Sequence, residues 1–262
     1  MKKRRNESRV LSLFLAMVLL VTGIPVSVQA AGGPESLGGT GKESTIPTVI
    51  EAGTTYTLTE DIVFTEGQTF ELIAGTLDGN GHTITLADKP LANEVTGTIQ
   101  NLGVTSENII VSDKTFGSMA ITLNGTIQNC YSTAKIKLTG WLGEVGGLVG
   151  TFRSGAIKNT YFGGSIDAMM AGGLIGIRET EESILSNSYY AADQASSASG
   201  PVSWGKKPEN GKDFKKTLKE LKSAAQLLNK DIPDTGFTWI SSADGSNQGL
   251  PVLTQGGISP EP

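Results

Sequence analysis

The chain has 262 residues, with 21 basic and 26 acidic side chains and a single cysteine. Residues 1–30 hold five of the basic residues and one of the acidic ones, so the remainder carries 16 basic against 25 acidic side chains. Such an acidic chain has no electrostatic reason to bind nucleic acid or an anionic membrane. One cysteine excludes an intramolecular disulfide, and stability has to come from packing and hydrogen bonding.

The first 30 residues have the pattern of a secretory signal. Basic residues precede an apolar run, Val10–Val21, and a small-residue cleavage site ends at Ala30. A membrane anchor is the competing interpretation, but Pro25 follows too early for the roughly 20 apolar residues that a span needs. We therefore predict a protein that is secreted or lies on a cell surface, without a membrane span after cleavage, and a flexible linker over 31–47.

A first coil of strands is predicted between residues 48 and 86. Tyr56–Leu58, Ile62–Phe64 and Thr83–Leu86 are strand-like and are bounded by glycine turns. The phrase Asp78-Gly-Asn-Gly81 lacks the glutamate of a calcium loop, so it predicts a turn, and we expect neither a metal site nor a cofactor. The lone His82 is expected to be a structural donor.

Four asparagines then mark a repeat. They stand at 101, 129, 159 and 187, with steps of 28, 30 and 28 residues, and each follows an apolar residue by two positions. A fixed period in this range indicates stacked units that complete one another's core, and the alternation indicates strands. The sequence therefore predicts an all-β fold, a right-handed parallel β-helix over residues 48–203.

The repeated asparagines and tyrosines allow more than one interpretation. The asparagines either point inward as a ladder of stacked amides, or occupy bends in the left-handed backbone region, which asparagine tolerates. Two residues further on, Tyr131, Tyr161 and Tyr189 form a second column, for which an aromatic stack is predicted rather than a ligand platform. Cys130 is expected to be a buried or half-buried thiol.

A glycine-rich phrase recurs between the asparagines, as Gly146-Gly-Leu-Val-Gly150 and Gly172-Gly-Leu-Ile-Gly176. Glycine weakens a strand, so its recurrence predicts a tight corner where backbones approach closely. These phrases resemble the GLUG motif, which is found in repeat regions of bacterial secreted and surface proteins. Among these regions is the non-catalytic part of some IgA-cleaving metallopeptidases. The resemblance covers about residues 54–253 and implies a β-helix module, but it assigns no activity.

The chain after the repeats is expected to cap the β-helix. Residues 204–257 form the predicted capping segment, with Asp213 capping a helix over about 214–229 that packs on the last coil. Such a cap protects exposed strand edges, and we expect a monomer. Residues 258–262 are predicted to be a frayed tail.

Two classes of function remain open. For a secreted polysaccharide lyase or glycoside hydrolase, the candidate catalytic residues are Asp113, Asp167 and Arg153, although they are dispersed in the sequence. The zinc motif and triad of a protease are missing. For a non-catalytic, adhesin-like module that binds an extracellular glycan or a surface protein, the candidate anchors are aromatic: Trp141, Phe162, Tyr190 and Trp204. The absence of a recognisable catalytic set favours the binding module.

Overall fold

In this computed structural model, all described residues belong to one compact unit, Gly33–Pro262. Side chains are described for all of the described residues except 35–37 and Ser246. The described residues are 35–37, 46–112, 115–140, 144–195, 198–209, 211, 213–242 and 245–256. The predicted signal peptide, the predicted tail, Asp113 and Trp141 lie outside them.

Three seven-stranded parallel sheets form the body of the fold. Sheet I contains Glu35–Leu37, Thr55–Leu58, Thr76–Asp78, Thr98–Gln100, Thr126–Gln128, Ala156–Lys158 and Ile184–Ser186. Sheet II contains Ile62–Val63, Thr83–Thr85, Gly103–Thr105, Tyr131–Ser132, Tyr161–Phe162, Tyr189–Ala191 and Lys215–Lys216. Sheet III contains Val49–Ile50, Phe70–Ile73, Ala92–Val95, Ala120–Leu123, Val149–Phe152, Ile175–Arg178 and Val202–Gly205.

Two shorter parallel sheets widen the middle coils. Sheet IV contains Ile109–Val111, Lys135–Leu138 and Ser165–Asp167, and sheet V contains Phe116–Gly117, Val145–Gly146 and Ala171–Gly172. Each coil passes through sheets III, I and II in that order, so the chain is a parallel β-solenoid, as predicted. The right-handed sense stays a prediction. The strand Glu35–Leu37 pairs with Tyr56–Leu58, which places a strand within the predicted flexible linker.

Columns of identical side chains fill the core. Ile99, Ile127 and Ile157 stand in register in sheet I and are fully buried. Each buried aliphatic side chain of this size stabilises the fold by about 1.5–3 kcal/mol relative to an exposed one. The repeat in the sequence is therefore a repeat of core positions, one per coil.

The asparagines lie at bends, which is the second of the two predicted alternatives. Asn101, Asn129, Asn159 and Asn187 have φ between 45° and 52°, and Asn80, in the corresponding turn of the preceding coil, has φ 51°. This left-handed conformation turns the chain from sheet I into sheet II. Asparagine adopts it more readily than other residues with a side chain.

The glycine-rich phrase makes a corner between sheets V and III, as predicted. A Cβ atom at Gly172 would lie 1.9 Å from the carbonyl oxygen of Ile175, and one at Gly146 would lie 2.0 Å from that of Val149. No side chain fits at such distances. The first glycine of each phrase is therefore required by close approach of the backbone to itself.

The second glycine of the phrase makes room for an aromatic ring of sheet II. A Cβ atom at Gly173 would lie 2.1–2.6 Å from three ring atoms of Tyr190. Two coils earlier, Ser118 stands at the position of this glycine, and Ser132 stands at the position of the tyrosine. The hydroxyl oxygens of the two serines are 2.8 Å apart. A small residue therefore faces a large one in the later coil, whereas two residues of intermediate size face each other in the earlier coil. The two pairs fill the same corner of the core.

The helix predicted over about 214–229 is wrong in its extent. Residues Lys215–Lys216 still belong to sheet II, where they pair with Tyr190 and Ala191. Two short helices follow, α1 (Leu218–Lys222) and α2 (Ala225–Leu228). The N-cap of α1 is Thr217, in a capping box with Glu220, and not Asp213.

After α2, the chain runs back along the flank of the solenoid. The ring of Trp239 packs 6.2 Å from that of Tyr131 and 5.5 Å from that of Tyr161, and the two tyrosine rings are stacked at 5.4 Å. An antiparallel pair, Phe237–Ile240 with Val252–Gln255, and a 3₁₀ helix, Ser246–Gly249, complete this segment. Tyr131 and Tyr161 therefore form the predicted aromatic stack, which Trp239 covers, whereas the ring of Tyr189 lies 5.4 Å from the ammonium group of Lys216.

The asparagine column holds this returning segment by hydrogen bonds. Asn159 donates from Nδ2 to the carbonyl oxygens of Leu228 at 2.6 Å and Lys230 at 2.8 Å. Asn129 donates to the hydroxyl of Thr235 at 2.8 Å, and that hydroxyl donates to Oδ1 of Asn101 at 2.8 Å. The amides thus face the C-terminal segment rather than the core.

Candidate functional site

An open groove lies at the last coil of sheet III. The strand Val202–Gly205 ends this sheet, and Trp204 stands in register with the outward-facing Ile177 of the preceding coil. Its side chain is 59 % exposed. The register places Trp204 in the column of Thr122, Thr151 and Ile177, whereas Val202 pairs with Ile175 and continues a buried column.

Two methionines form the other apolar wall of the groove. Met169 and Met170 precede the sheet V strand Ala171–Gly172, and their side chains are 70 % and 41 % exposed. With Ser203, Lys207 and neighbouring residues they line a groove of about 650 Å³. Exposed methionine and tryptophan side chains placed together are typical of binding surfaces, because methionine adapts its shape to a ligand.

Arg178 closes the core beneath this groove. It occupies the column that holds Leu123 and Phe152 in earlier coils, yet it is only 7 % exposed. Its guanidinium donates to the carbonyl oxygens of Ser183 and Glu181 and to the hydroxyl of Ser183. Burial lowers the pKa of this guanidinium. The apolar column of sheet III is therefore followed by a guanidinium group whose hydrogen bonds are accepted by the loop residues Glu181 and Ser183.

Among the predicted aromatic anchors, the structure leaves one exposed within the described residues. Phe162 is fully buried and Tyr190 is 2 % exposed, because their rings pack on the second glycines of the two phrases, Gly147 and Gly173. A glycan cannot reach either ring, so the suggestion that they act as anchors is wrong. Trp204 fulfils the prediction's requirement of an exposed ring.

Of the predicted catalytic residues, the structure describes Asp167 and Arg153, and each has a different ionic partner. Asp167 lies 3.9 Å from Lys137, and both side chains are more than half exposed. Arg153 lies 3.4 Å from Glu179, at the far end of a sheet III strand. Each is thus paired with another partner. A lyase or hydrolase needs its groups around one bond, and Asp167 and Arg153 do not meet that condition.

A second, more polar cleft of about 330 Å³ lies beside the early coils of sheet III. Its polar groups already bind one another: Asn93 donates to Glu71 at 2.7 Å, and Asp88 accepts from the backbone of Gly67 at 2.7 Å and lies 3.9 Å from Lys89. A ligand would have to displace these contacts. The groove at Trp204 carries no such cost.

Chemically active groups elsewhere are held in structural roles. Cys130 is fully buried, its thiol donates to the carbonyl oxygen of Gln128, and burial raises its pKa to about 12. His82 lies 3.4 Å from Asp61 through Nδ1. Across the described residues, no group of three or more histidine, cysteine or acidic side chains is suited to a metal ion. The helices described in the structure also include none with the length and apolar character of a membrane span.

Fold and groove together define a parallel β-solenoid with an exposed apolar groove at its last coil. No protein-family model and no curated protein sequence matches the chain. Among solved structures, the chain is similar to a Bacteroides ovatus protein that is provisionally assigned as an immunoglobulin A1 protease. The identity is 16 % and the TM-score 0.48, over 76 % of this chain and 85 % of that one.

Proposed function

We propose that this chain is an extracellular, non-catalytic binding module of adhesin-like character, which recognises a glycan or a surface protein through the groove at Trp204. The observation that carries the proposal is that the exposed side chain of Trp204 lines one groove together with Met169 and Met170, which are also exposed. Aromatic side chains with exposed faces are the commonest energetic anchors of binding sites.

Extracellular placement is supported by the sequence of residues 1–30, with its basic start, apolar run and small-residue end. Membership among GLUG-type surface repeats belongs to the same proposal and is supported by the corner glycines. The recurrent phrase is required at each corner by contacts of 1.9–2.0 Å that a Cβ atom would make with backbone oxygens.

A rigid scaffold suits such a role. Parallel coils joined by hydrogen bonds hold the strand Val202–Gly205 against Ile175–Arg178, and the buried Arg178 fixes the loop below it. A groove held in this way loses little freedom when a ligand binds. Enzymatic cleavage of a polysaccharide was the alternative, and the separate ion pairs of Asp167 and Arg153 give it no support.

The test is a glycan array probed with residues 31–262, followed by a product assay on each bound glycan. We expect binding without cleavage, and loss of the signal in Trp204→Ala. A matched control is Ile240→Ala, which removes another exposed apolar side chain, 45 % exposed, from the C-terminal segment. Cleavage of a bound glycan would overturn the non-catalytic proposal, and equal signals from both variants would overturn the assignment of the groove.

A further inference from the structure

The groove at Trp204 combines an apolar face with an uncompensated positive charge. Its lining includes Trp204, Met169, Met170, Ser203 and Lys207, and no carboxylate lies among the lining residues. Pockets of this kind bind through apolar contact and orient the ligand with a few polar groups. The chemistry of the ligand can therefore be read from the polar groups that the groove presents.

The charge at this end of the solenoid is opposite to that of the chain as a whole. Residues 206–222 contain seven lysines and three acidic residues, whereas residues 46–88 contain seven acidic residues and neither lysine nor arginine. Near the groove, Glu181 lies 3.0 Å from Lys206, and Glu179 lies 3.4 Å from Arg153. Lys207 forms no ion pair within 4.0 Å with any described residue.

We propose that the groove binds an anionic polysaccharide, with a sugar ring on the indole of Trp204 and an acidic substituent at Lys207. This inference rests on the proposed binding function and names its ligand class. A sugar ring offers an apolar face of C–H groups and a rim of hydroxyls, which match the indole and the hydroxyl of Ser203. A carboxylate or sulfate on the ring then meets the ammonium group of Lys207.

A second copy of this chain is the competing occupant, because its acidic first coil has the complementary charge. The last coil is built against strand addition, however. The final strand of sheet II is Lys215–Lys216, and Lys215 stands in the column where earlier coils place Phe162 and Tyr190. Charged residues at core positions of an edge are a known protection against edge pairing. A polysaccharide needs no strand edge.

The experiment measures the affinity of residues 31–262 for two anionic probes and their neutral counterparts. The probes are polygalacturonate, with methyl-esterified polygalacturonate as its control, and dextran sulfate, with dextran as its control. We expect at least one anionic probe to bind about tenfold tighter than its neutral counterpart in about 0.1 M salt. The preference should shrink in about 1 M salt, where the screening length falls from about 10 Å to about 3 Å.

Variants locate the effect in the groove. Trp204→Ala should weaken binding of the anionic probe by about tenfold or more. Lys207→Ser should weaken it by up to about fivefold and leave binding of the neutral probe unchanged. The matched control is Lys219→Ser, which removes an exposed lysine of α1 outside the groove and should change nothing.

The outcomes separate this inference from the function on which it rests. Equal affinity for anionic and neutral probes, with both lost in Trp204→Ala, would overturn the anionic ligand and keep the binding module. Binding of neither probe, together with a silent glycan array, would overturn the anionic ligand and the glycan-binding form of the proposed function. Self-association in sedimentation velocity that Trp204→Ala abolishes would assign the groove to a second copy instead.

Discussion

Replacing Gly173 by alanine is the sharpest perturbation of the corner between sheets V and III. The added Cβ atom would lie 2.1–2.6 Å from the ring of Tyr190, and Gly173 has no positive φ, so steric conflict is the whole effect. Tyr190 is 2 % exposed and its ring cannot withdraw without displacing core neighbours. Overpacking of this kind costs about 1–3 kcal/mol, and we expect the upper end of that range.

A double-mutant cycle tests the cause. Tyr190→Ala alone should cost about 3–5 kcal/mol through the cavity that it leaves. In that background Gly173→Ala should cost almost nothing, because the ring that it strikes is gone. The control is Gly200→Ala, where the nearest atom to the added Cβ is 3.8 Å away and the expected change stays within about 0.5 kcal/mol.

Thermal unfolding followed by circular dichroism is a suitable assay for residues 31–262. At this chain length 1 kcal/mol shifts Tm by about 2–4 °C, so Gly173→Ala should lower Tm by about 6–12 °C. A shift no larger than that of Gly200→Ala would refute the reasoning. So would a full-sized effect of Gly173→Ala in the Tyr190→Ala background.

Three further predictions concern the hydrogen bonds, the thiol and the helix. Asn159→Gly keeps the left-handed bend but loses two hydrogen bonds, so the free energy of unfolding in urea should fall by about 1–3 kcal/mol. Asn159→Ala should cost about 1 kcal/mol more, because alanine tolerates this bend less well than glycine. Equal stabilities of the two variants would contradict this prediction. The buried thiol of Cys130 keeps its proton in the folded chain, where its pKa is about 12 against 9.0 ordinarily, so the free energy of unfolding should fall between pH 9.0 and about 12. Cys130 contributes at most about 1.4 kcal/mol per pH unit to the dependence of the free energy of unfolding on pH. This dependence should be weaker in Cys130→Ser, and an unchanged dependence would contradict the prediction. Thr217→Ala removes the capping box of α1 and should cost about 1 kcal/mol, seen as faster amide exchange over Leu218–Lys222; unaltered exchange there would argue against the cap.

The architecture could be predicted because each coil repeats the same physical requirements. Ile127 occupies a core position that Ile99 and Ile157 fill in the neighbouring coils, and Asn129 repeats a bend that asparagine tolerates, so both leave a period in the sequence. The corner glycines add a second period. A solenoid makes its contacts mainly between neighbouring coils, which is why local patterns carried the prediction so far.

The C-terminal segment was harder, because its contacts are with distant coils. The apolar spacing of 214–229 fits a helix, yet pairing with Tyr190 and Ala191 keeps Lys215–Lys216 in sheet II, and Thr217 caps more completely than Asp213. No local signal shows that Trp239 lies against Tyr131. That contact joins residues more than a hundred positions apart.

The site was predicted in part for a related reason. Alternation separates the two faces of sheet II, but aromatics stand on both, so Phe162 could not be recognised as a core residue by its pattern. Trp204 was predicted only as one of four candidate aromatic anchors. Met169 and Met170 were missed, although two adjacent methionines in a stretch of small residues were an available signal.

The most direct test of the binding account is the affinity of Trp204→Ala for a glycan that the array identifies, measured beside Ile240→Ala by isothermal titration calorimetry. If the groove is the binding site, Trp204→Ala should raise Kd by about tenfold or more while Ile240→Ala leaves it unchanged. Equal affinities in the two variants, with both still folded, would contradict the account.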